Sequence, residues 1–151
     1  SIVAKQINYD GTRAADGDFK FAVNAQANAY GLEWGVQLTA GLRTDTVATN
    51  GTGVDFAASS AFGAQFYLHV TAFTGTSVSI AVQESSDNGG ADPYAAVTGG
   101  TFTSVTGITS ERIATSSSQT IERYLRVVTT GTFSSVTFSV VAVKNDTSIS
   151  F

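Results

Sequence analysis

The chain has 151 residues, which is enough for one domain with a buried core, and it contains no cysteine. Disulfide frameworks, thiolate metal sites and cysteine nucleophiles are therefore excluded. Only 13% of the residues are charged and the formal net charge is −4. The 8 basic residues are scattered, which argues against the clustered Lys/Arg surface that sequence-specific nucleic-acid binding requires.

Membrane-spanning segments are not indicated by the sequence. No apolar run approaches the roughly 20 residues that cross a bilayer as a helix. The N-terminus also lacks the basic-then-apolar order of a signal peptide. We therefore expect a soluble protein that does not use a membrane as a partner.

The first predicted element is a β-hairpin within residues 1–40. Residues 2–9 and 19–28 have the alternation of a strand, and the stretch 10-DGTRAADGD-18 between them is rich in turn formers. The second strand has one apolar and one polar face. Because an isolated two-stranded hairpin is marginally stable in water, this segment is expected to pack on something else.

A linker is predicted next, at residues 41–52. Gly, Thr, Asn and Asp dominate this stretch and the alternation of apolar and polar residues weakens. The sequence thus predicts a boundary here, with a second domain at residues 53–151.

The second predicted domain contains strands at short intervals and no convincing helical period. The predicted strands are 54–58, 64–73, 76–85, 94–97, 101–106, 111–115, 122–130 and 133–143. This pattern is typical of an immunoglobulin-like or jelly-roll β-sandwich, so the predicted fold class is all-β. The similar stretches 73-FTGTSVSI-80 and 130-TGTFSSVTF-138 are interpreted as hairpin turns, which makes residues 122–145 two strands joined by a tight turn.

Candidates for catalysis are few. His69 is the only histidine, and it lies on the more polar face of a predicted strand, where a half-exposed structural role is expected. No G-x-S-x-G motif is present, and G-x-G-x-x-G and P-loop motifs are also missing. Three further carboxylates lie near strand ends, but the sequence does not pair them across a cleft as glycoside hydrolysis requires: Glu84, Glu111 and Glu122.

Two acidic loops have the oxygen ligands that calcium prefers. One contains Asp10, Asp16 and Asp18, and the other contains Asp87, Asn88 and Asp92. Neither has EF-hand spacing, and the same residue types are what ordinary β-turns require. The sequence therefore assigns no metal, no cofactor and no catalytic residue, and predicts a protein that is not an enzyme.

Aromatic residues are the remaining candidates, as stacking faces for sugars. They are Trp34, Tyr30, Tyr67, Tyr94 and Tyr124. Trp34 precedes the predicted sandwich, and a single Trp is more often a packing anchor. A carbohydrate-binding module stays open as one alternative.

Long stretches of the sequence resemble the C-terminal part of the tail tube (major tail) proteins of long-tailed bacteriophages. The resemblance runs through residues 5–46, which begin with 5-KQINYDGTRAADG-17, through residues 62–88, which begin with 62-FGAQFYLHV-70, and through 123-RYLRVVTTGTFSSVTFSV-140. It depends on overall likeness because there is no catalytic motif to match.

The resemblance implies a virion structural protein that assembles in the host cytoplasm. In that family a β-barrel module from each subunit forms stacked hexameric rings, and many members add an external β-sandwich. Residues 2–38 would then be the final strands of the tube module, and residues 52–151 the appended domain. Members have a substantial portion before the K-Q-I-N-Y segment, so the chain would be the C-terminal part of such a protein.

The resemblance also implies partners: other copies of the chain, other virion proteins and weak contacts with host-surface glycans. A phage head decoration protein is a second alternative, because it shares a sandwich architecture without chemistry. The placement of the N-terminal segment distinguishes the two, since a tail subunit would pair it into an intersubunit barrel and a head protein would dock it on the capsid.

Overall fold

The computed structural model describes residues 4–13, 19–27 and 34–148. It divides the chain into two compact units, Ser1–Trp34 and Gly35–Phe151. All regular elements among the described residues are β-strands, which confirms the predicted all-β class. No helix in these residues is long and apolar enough to cross a membrane.

The first unit contains a hairpin of two antiparallel strands. β1 (Ala4–Arg13) pairs with β2 (Phe19–Ala27), and the register runs from Ala4↔Ala27 to Arg13↔Phe19 with one shift between Gln6 and Asn8. The predicted hairpin is therefore confirmed. Its first strand continues into the predicted turn, as far as Arg13. β1 and β2 form a sheet of their own, with no third strand among the described residues.

The second unit is a single eight-stranded sheet that curls into a half-barrel. Its strands are β3 (Val36–Gln37), β4 (Arg43–Asp45), β5 (Thr49–Asn50), β6 (Val54–Asp55), β7 (Ala64–Ser85), β8 (Ala95–Thr101), β9 (Thr109–Ala114) and β10 (Tyr124–Lys144). β7 and β10 form the centre and pair with each other antiparallel. β3 to β6 pair with the side of β10 that faces away from β7, whereas β8 and β9 pair with β7 on the side that faces away from β10.

Two glycines allow the long central strands to bend together. Gly75 (φ 151°) and Gly131 (φ 127°) adopt positive φ at the level where the register shifts around Phe133. A Cβ on Gly75 would overlap the Phe133 backbone, and one on Gly131 would lie 2.6 Å from the Ser77 carbonyl oxygen. Glycine is thus needed on both strands, because any other side chain would force this tight β-bulge apart.

The predicted hairpin turns within these strands are wrong. Residues 122–145 are not two strands joined by a turn but essentially one strand, β10, and residues 73–80 likewise lie inside β7. The glycines that suggested a turn bend each strand without reversing it. β7 and β10 stay paired with each other through the bend, so neither strand reverses its direction there.

Both halves of the long strands contribute to one hydrophobic core. The alternating apolar residues are at most 2% exposed: Phe66, Leu68, Val70, Val78, Ile80, Val82, Leu125, Val127, Val136, Phe138, Val140 and Ala142. The alternation predicted from the sequence is thus confirmed as the core face. The sequence predicts a sandwich of separate sheets, whereas here continuous strands contribute to the core on both sides of their bend.

The structure also differs from the predicted linker and boundary. Residues 41–52 include β4 and β5, which pair with β10, and the two units divide after Trp34. These strands are two or three residues long and polar, so their own sequence has little strand signal. They are ordered by hydrogen bonds to β10, which a local reading of composition does not detect.

Candidate functional site

The acidic loop between β7 and β8 directs its oxygens at its own backbone. The Asp87 carboxylate accepts hydrogen bonds from the amides of Gly90, Ala91 and Asp92, and Asp92 Oδ2 accepts one from Ser86. The Ala91 amide contributes most to lowering the pKa of Asp87 below its usual range. These bonds are those of a self-contained turn, and the described residues contain no cluster of acidic or histidine ligands arranged for a metal.

The other predicted calcium loop is placed only in part. Asp10 lies in β1, opposite Ala22 in the backbone register, so it belongs to a strand and not to a turn. Asp16 and Asp18 lie outside the described residues.

His69 is exposed on β7, as the sequence predicts for a half-exposed strand face. Its Nδ1 lies 3.0 Å from the Ser110 hydroxyl of β9. Among the described residues, no carboxylate bonds to the imidazole to complete a Ser–His–acid arrangement. The pair therefore connects two neighbouring strands.

Two of the three predicted glutamates come together. Glu84 Oε2 accepts a hydrogen bond from the backbone amide of Glu122, 2.9 Å away. Burial is the largest cause of the raised pKa of both carboxyls, and the charge of Asp92 raises each further. Glu111 is elsewhere, on β9, where its carboxylate accepts bonds from the amide and hydroxyl of Thr103. The third glutamate thus stabilises a loop.

The aromatic candidates do not form a common platform. Tyr67 is 5% exposed and accepts a hydrogen bond from Arg112. Guanidinium groups lie over the rings of two further candidates, Arg126 at 4.1 Å from the Tyr94 centroid and Arg123 at 4.9 Å from that of Tyr124.

Trp34 differs from these tyrosines, because it is 85% exposed. Tyr30 lies outside the described residues.

Sequence reasoning missed an open groove on the side of the sheet where β3 to β6 pair with β10. It has a volume of about 700 Å³ and is lined by residues 37–40, Arg43, Asp45 and residues 49–54. Arg43 and Asp45 form a bidentate ion pair at 2.8 and 2.6 Å, and Thr129 donates to the same carboxylate. The opposite charges two residues apart in 43-RTD-45 were the available signal. The pair is satisfied internally, which makes it a structural clamp.

The two sheets differ in how readily a further strand could hydrogen-bond to their edges. In the eight-stranded sheet, four short strands interrupted by loops cover β10. On the opposite side the β8 register shifts from Ala81↔Thr101 to Gln83↔Ala96, which leaves a bulge that includes Gly99 at φ 75°. These interrupted and bulged edges are poor templates for adding a strand, whereas β9 pairs with β7 over six residues without a shift.

The hairpin edges are longer and more regular. β1 and β2 have 10 and 9 residues, and their mutual register shifts once. Their outer backbone groups have no strand partner among the described residues.

No family model, no curated protein and no solved structure matches the chain.

Proposed function

We propose that this chain is a bacteriophage virion structural protein, a tail tube subunit that acts by self-assembly into rings and tubes. The two-stranded sheet of β1 and β2 is the observation that carries this proposal. The sequence resemblance described above supplies the identity of the assembly.

The hairpin requires partners for a physical reason. Two strands bury too little apolar surface to be independently stable in water, whereas three or more strands with a covered face can be. Strands of neighbouring copies would supply this through the backbone groups on the outer edges of β1 and β2. A heterologous contact of this kind closes into a ring when repeated with the right rotation, as a hexameric tube layer requires.

The second unit suits display on the outside of such a tube. It has its own core and interrupted sheet edges, so it needs no additional strand. Of its polar side chains, Asp87 and the Arg43–Asp45 pair are bonded within the unit. We infer that this unit contacts other virion proteins or host glycans weakly and takes little part in forming the ring.

The test is to compare the full chain with Val23→Pro, which removes an amide donor from the middle of β2. In the full-length protein, with the N-terminal portion that the resemblance implies before the K-Q-I-N-Y segment, wild type should form rings or tubes at high concentration, seen by negative-stain electron microscopy and light scattering. Val23→Pro should stay monomeric and keep the thermal transition of the second unit. Ser117→Pro is the matched control. The Gln119 amide donates to the Ser116 carbonyl and closes a β-turn, so residue 117 is the second residue of that turn, where proline is favoured.

Hydrogen exchange provides a second measurement. Amides of β1 and β2 should become protected as concentration rises, while those of β7 and β10 should be protected at all concentrations. A full-length wild-type protein that is monomeric at high concentration, with hairpin exchange independent of concentration, would contradict the proposal. An assembly that Val23→Pro does not weaken would contradict the role given to the hairpin.

A further inference from the structure

The chain contains two Asn–Gly pairs, Asn50–Gly51 and Asn88–Gly89. An asparagine before glycine is chemically vulnerable, because the following backbone nitrogen can attack the side-chain amide with little steric hindrance. Both asparagine side chains are exposed, so access to water does not distinguish them. The difference lies in what holds each glycine amide.

The Gly51 amide is part of the sheet. It donates a 2.8 Å hydrogen bond to the Val127 carbonyl, and Asn50 is paired with Val128 between β5 and β10. Arg43 donates to the same carbonyl at 3.0 Å and fills the space where a Gly51 side chain would be. Attack by this nitrogen therefore requires the sheet edge to open.

The Gly89 amide is held only by one side chain in an exposed loop. It donates a 2.8 Å hydrogen bond to the Ser85 hydroxyl. Asn88 and Gly89 both have positive φ, 64° and 81°. The Tyr94 hydroxyl donates to Asn88 Oδ1 at 2.8 Å, which draws electron density from the side-chain carbonyl and favours attack at Cγ.

We propose that Asn88 is the residue at which this chain deamidates, and that the Ser85 hydroxyl sets the rate by occupying the Gly89 amide. Gly89 N loses its proton to hydroxide and bonds to Asn88 Cγ. The Cγ–Nδ2 bond breaks and, with a proton from water, the nitrogen leaves as ammonia. Water then opens the cyclic imide to aspartate or isoaspartate, with no oxidation or reduction.

The modification changes the loop in two ways. It adds a carboxylate beside Asp87 and near Asp92, whose oxygens already accept the loop amides. The isoaspartate product also lengthens the main chain before Gly89, which moves that amide away from Ser85. Both changes loosen the segment between β7 and β8.

The experiment is a time course of the intact chain at mildly alkaline pH, read residue by residue by peptide mass spectrometry. Deamidation should accumulate at Asn88 well before Asn50 in the wild type. Ser85→Ala should accelerate it at Asn88 by at least about fivefold, the factor expected from losing one hydrogen bond of ordinary net strength. The variant frees the Gly89 amide and also removes the Ser85 bonds to the Asp87 amide and the Asp92 carbonyl. Ser118→Ala, in a different loop, is the control and should change neither rate.

Asn50 also reports on folding within the same molecule. If Asn50 deamidates as fast as Asn88 in the wild type, the assignment is wrong. If Ser85→Ala accelerates both residues equally, general opening of the fold is responsible and the role of Ser85 is overturned. An unchanged rate at Asn88 in this variant would overturn it as well.

Discussion

The hairpin and the curled sheet solve the same problem of strand edges in opposite ways. The curled sheet surrounds a core of fully buried side chains and covers its central strands with short, interrupted ones. The hairpin has two long strands in nearly continuous register and no further strand among the described residues. Blunted edges disfavour the addition of a further strand, whereas a regular and unpaired edge is a template for one.

The largest expected effect tests whether the curled sheet is complete in itself. Gly131→Val places a branched side chain at φ 127° and against the Ser77 carbonyl. We expect a loss of about 3–5 kcal/mol in the free energy of unfolding, measured by urea denaturation. Gly107→Ala is the control, since nothing lies within 4 Å of its added Cβ.

The midpoint for the second unit should not depend on protein concentration in either variant. A midpoint that rises with concentration would mean that this sheet, too, is completed by other copies, and the contrast between the two units would fail.

The same glycines show why the sequence predicted the fold only in part. The alternation of buried residues in β7 and β10 is local, so the all-β class and the core face were predictable. Whether Gly131 reverses the chain or bends it depends on the matching bend at Gly75 in the partner strand, more than fifty residues away in the chain. That information is not in either stretch alone.

The candidate groove was missed for a related reason. Arg43 and Asp45 lie in a polar segment whose strands are defined by pairing with β10. The bond from Thr129 to Asp45 and the bond from Arg43 to the Val127 carbonyl both involve that distant partner. By contrast, the interpretation of the 87–92 loop as an ordinary turn required only its own residues, and the Asp87 bonds to loop amides agree with it.

A smaller effect is expected at the clamp that holds the covering strands. Asp45→Ala removes a buried carboxylate that accepts bonds from Arg43 and Thr129 and leaves the guanidinium without its partner. We expect a loss of about 2–3 kcal/mol in the free energy of unfolding, below the full cost of breaking a buried pair because Arg43 keeps backbone acceptors.

Hydrogen exchange should show where this loss occurs. Amides of β4 and β5 should exchange faster than those of β7, and the groove edge should become available for pairing. Increased association of Asp45→Ala at high concentration would support the view that these covering strands keep the sheet edge closed, whereas uniform exchange across the sheet would count against it.

The smallest effect concerns pH, where two carboxyls of the curled sheet act in opposite directions. Burial raises the pKa of Glu84, so the folded protein favours the protonated carboxyl. The contribution of Glu84 to the free energy of unfolding is therefore present below the ordinary pKa of 4.5 and is lost as pH rises through the raised pKa. Asp87 has a lowered pKa because loop amides bind its charged form, so its contribution is present above the usual aspartate range and lost as pH falls. Thermal melts across this range should therefore show Glu84→Gln losing less stability than the wild type as pH rises, and Asp87→Asn losing less as pH falls. If both variants followed the wild-type pH profile, neither carboxyl would contribute to the pH dependence of stability. If assembly through the hairpin followed the same pH profile, the two units would be energetically coupled.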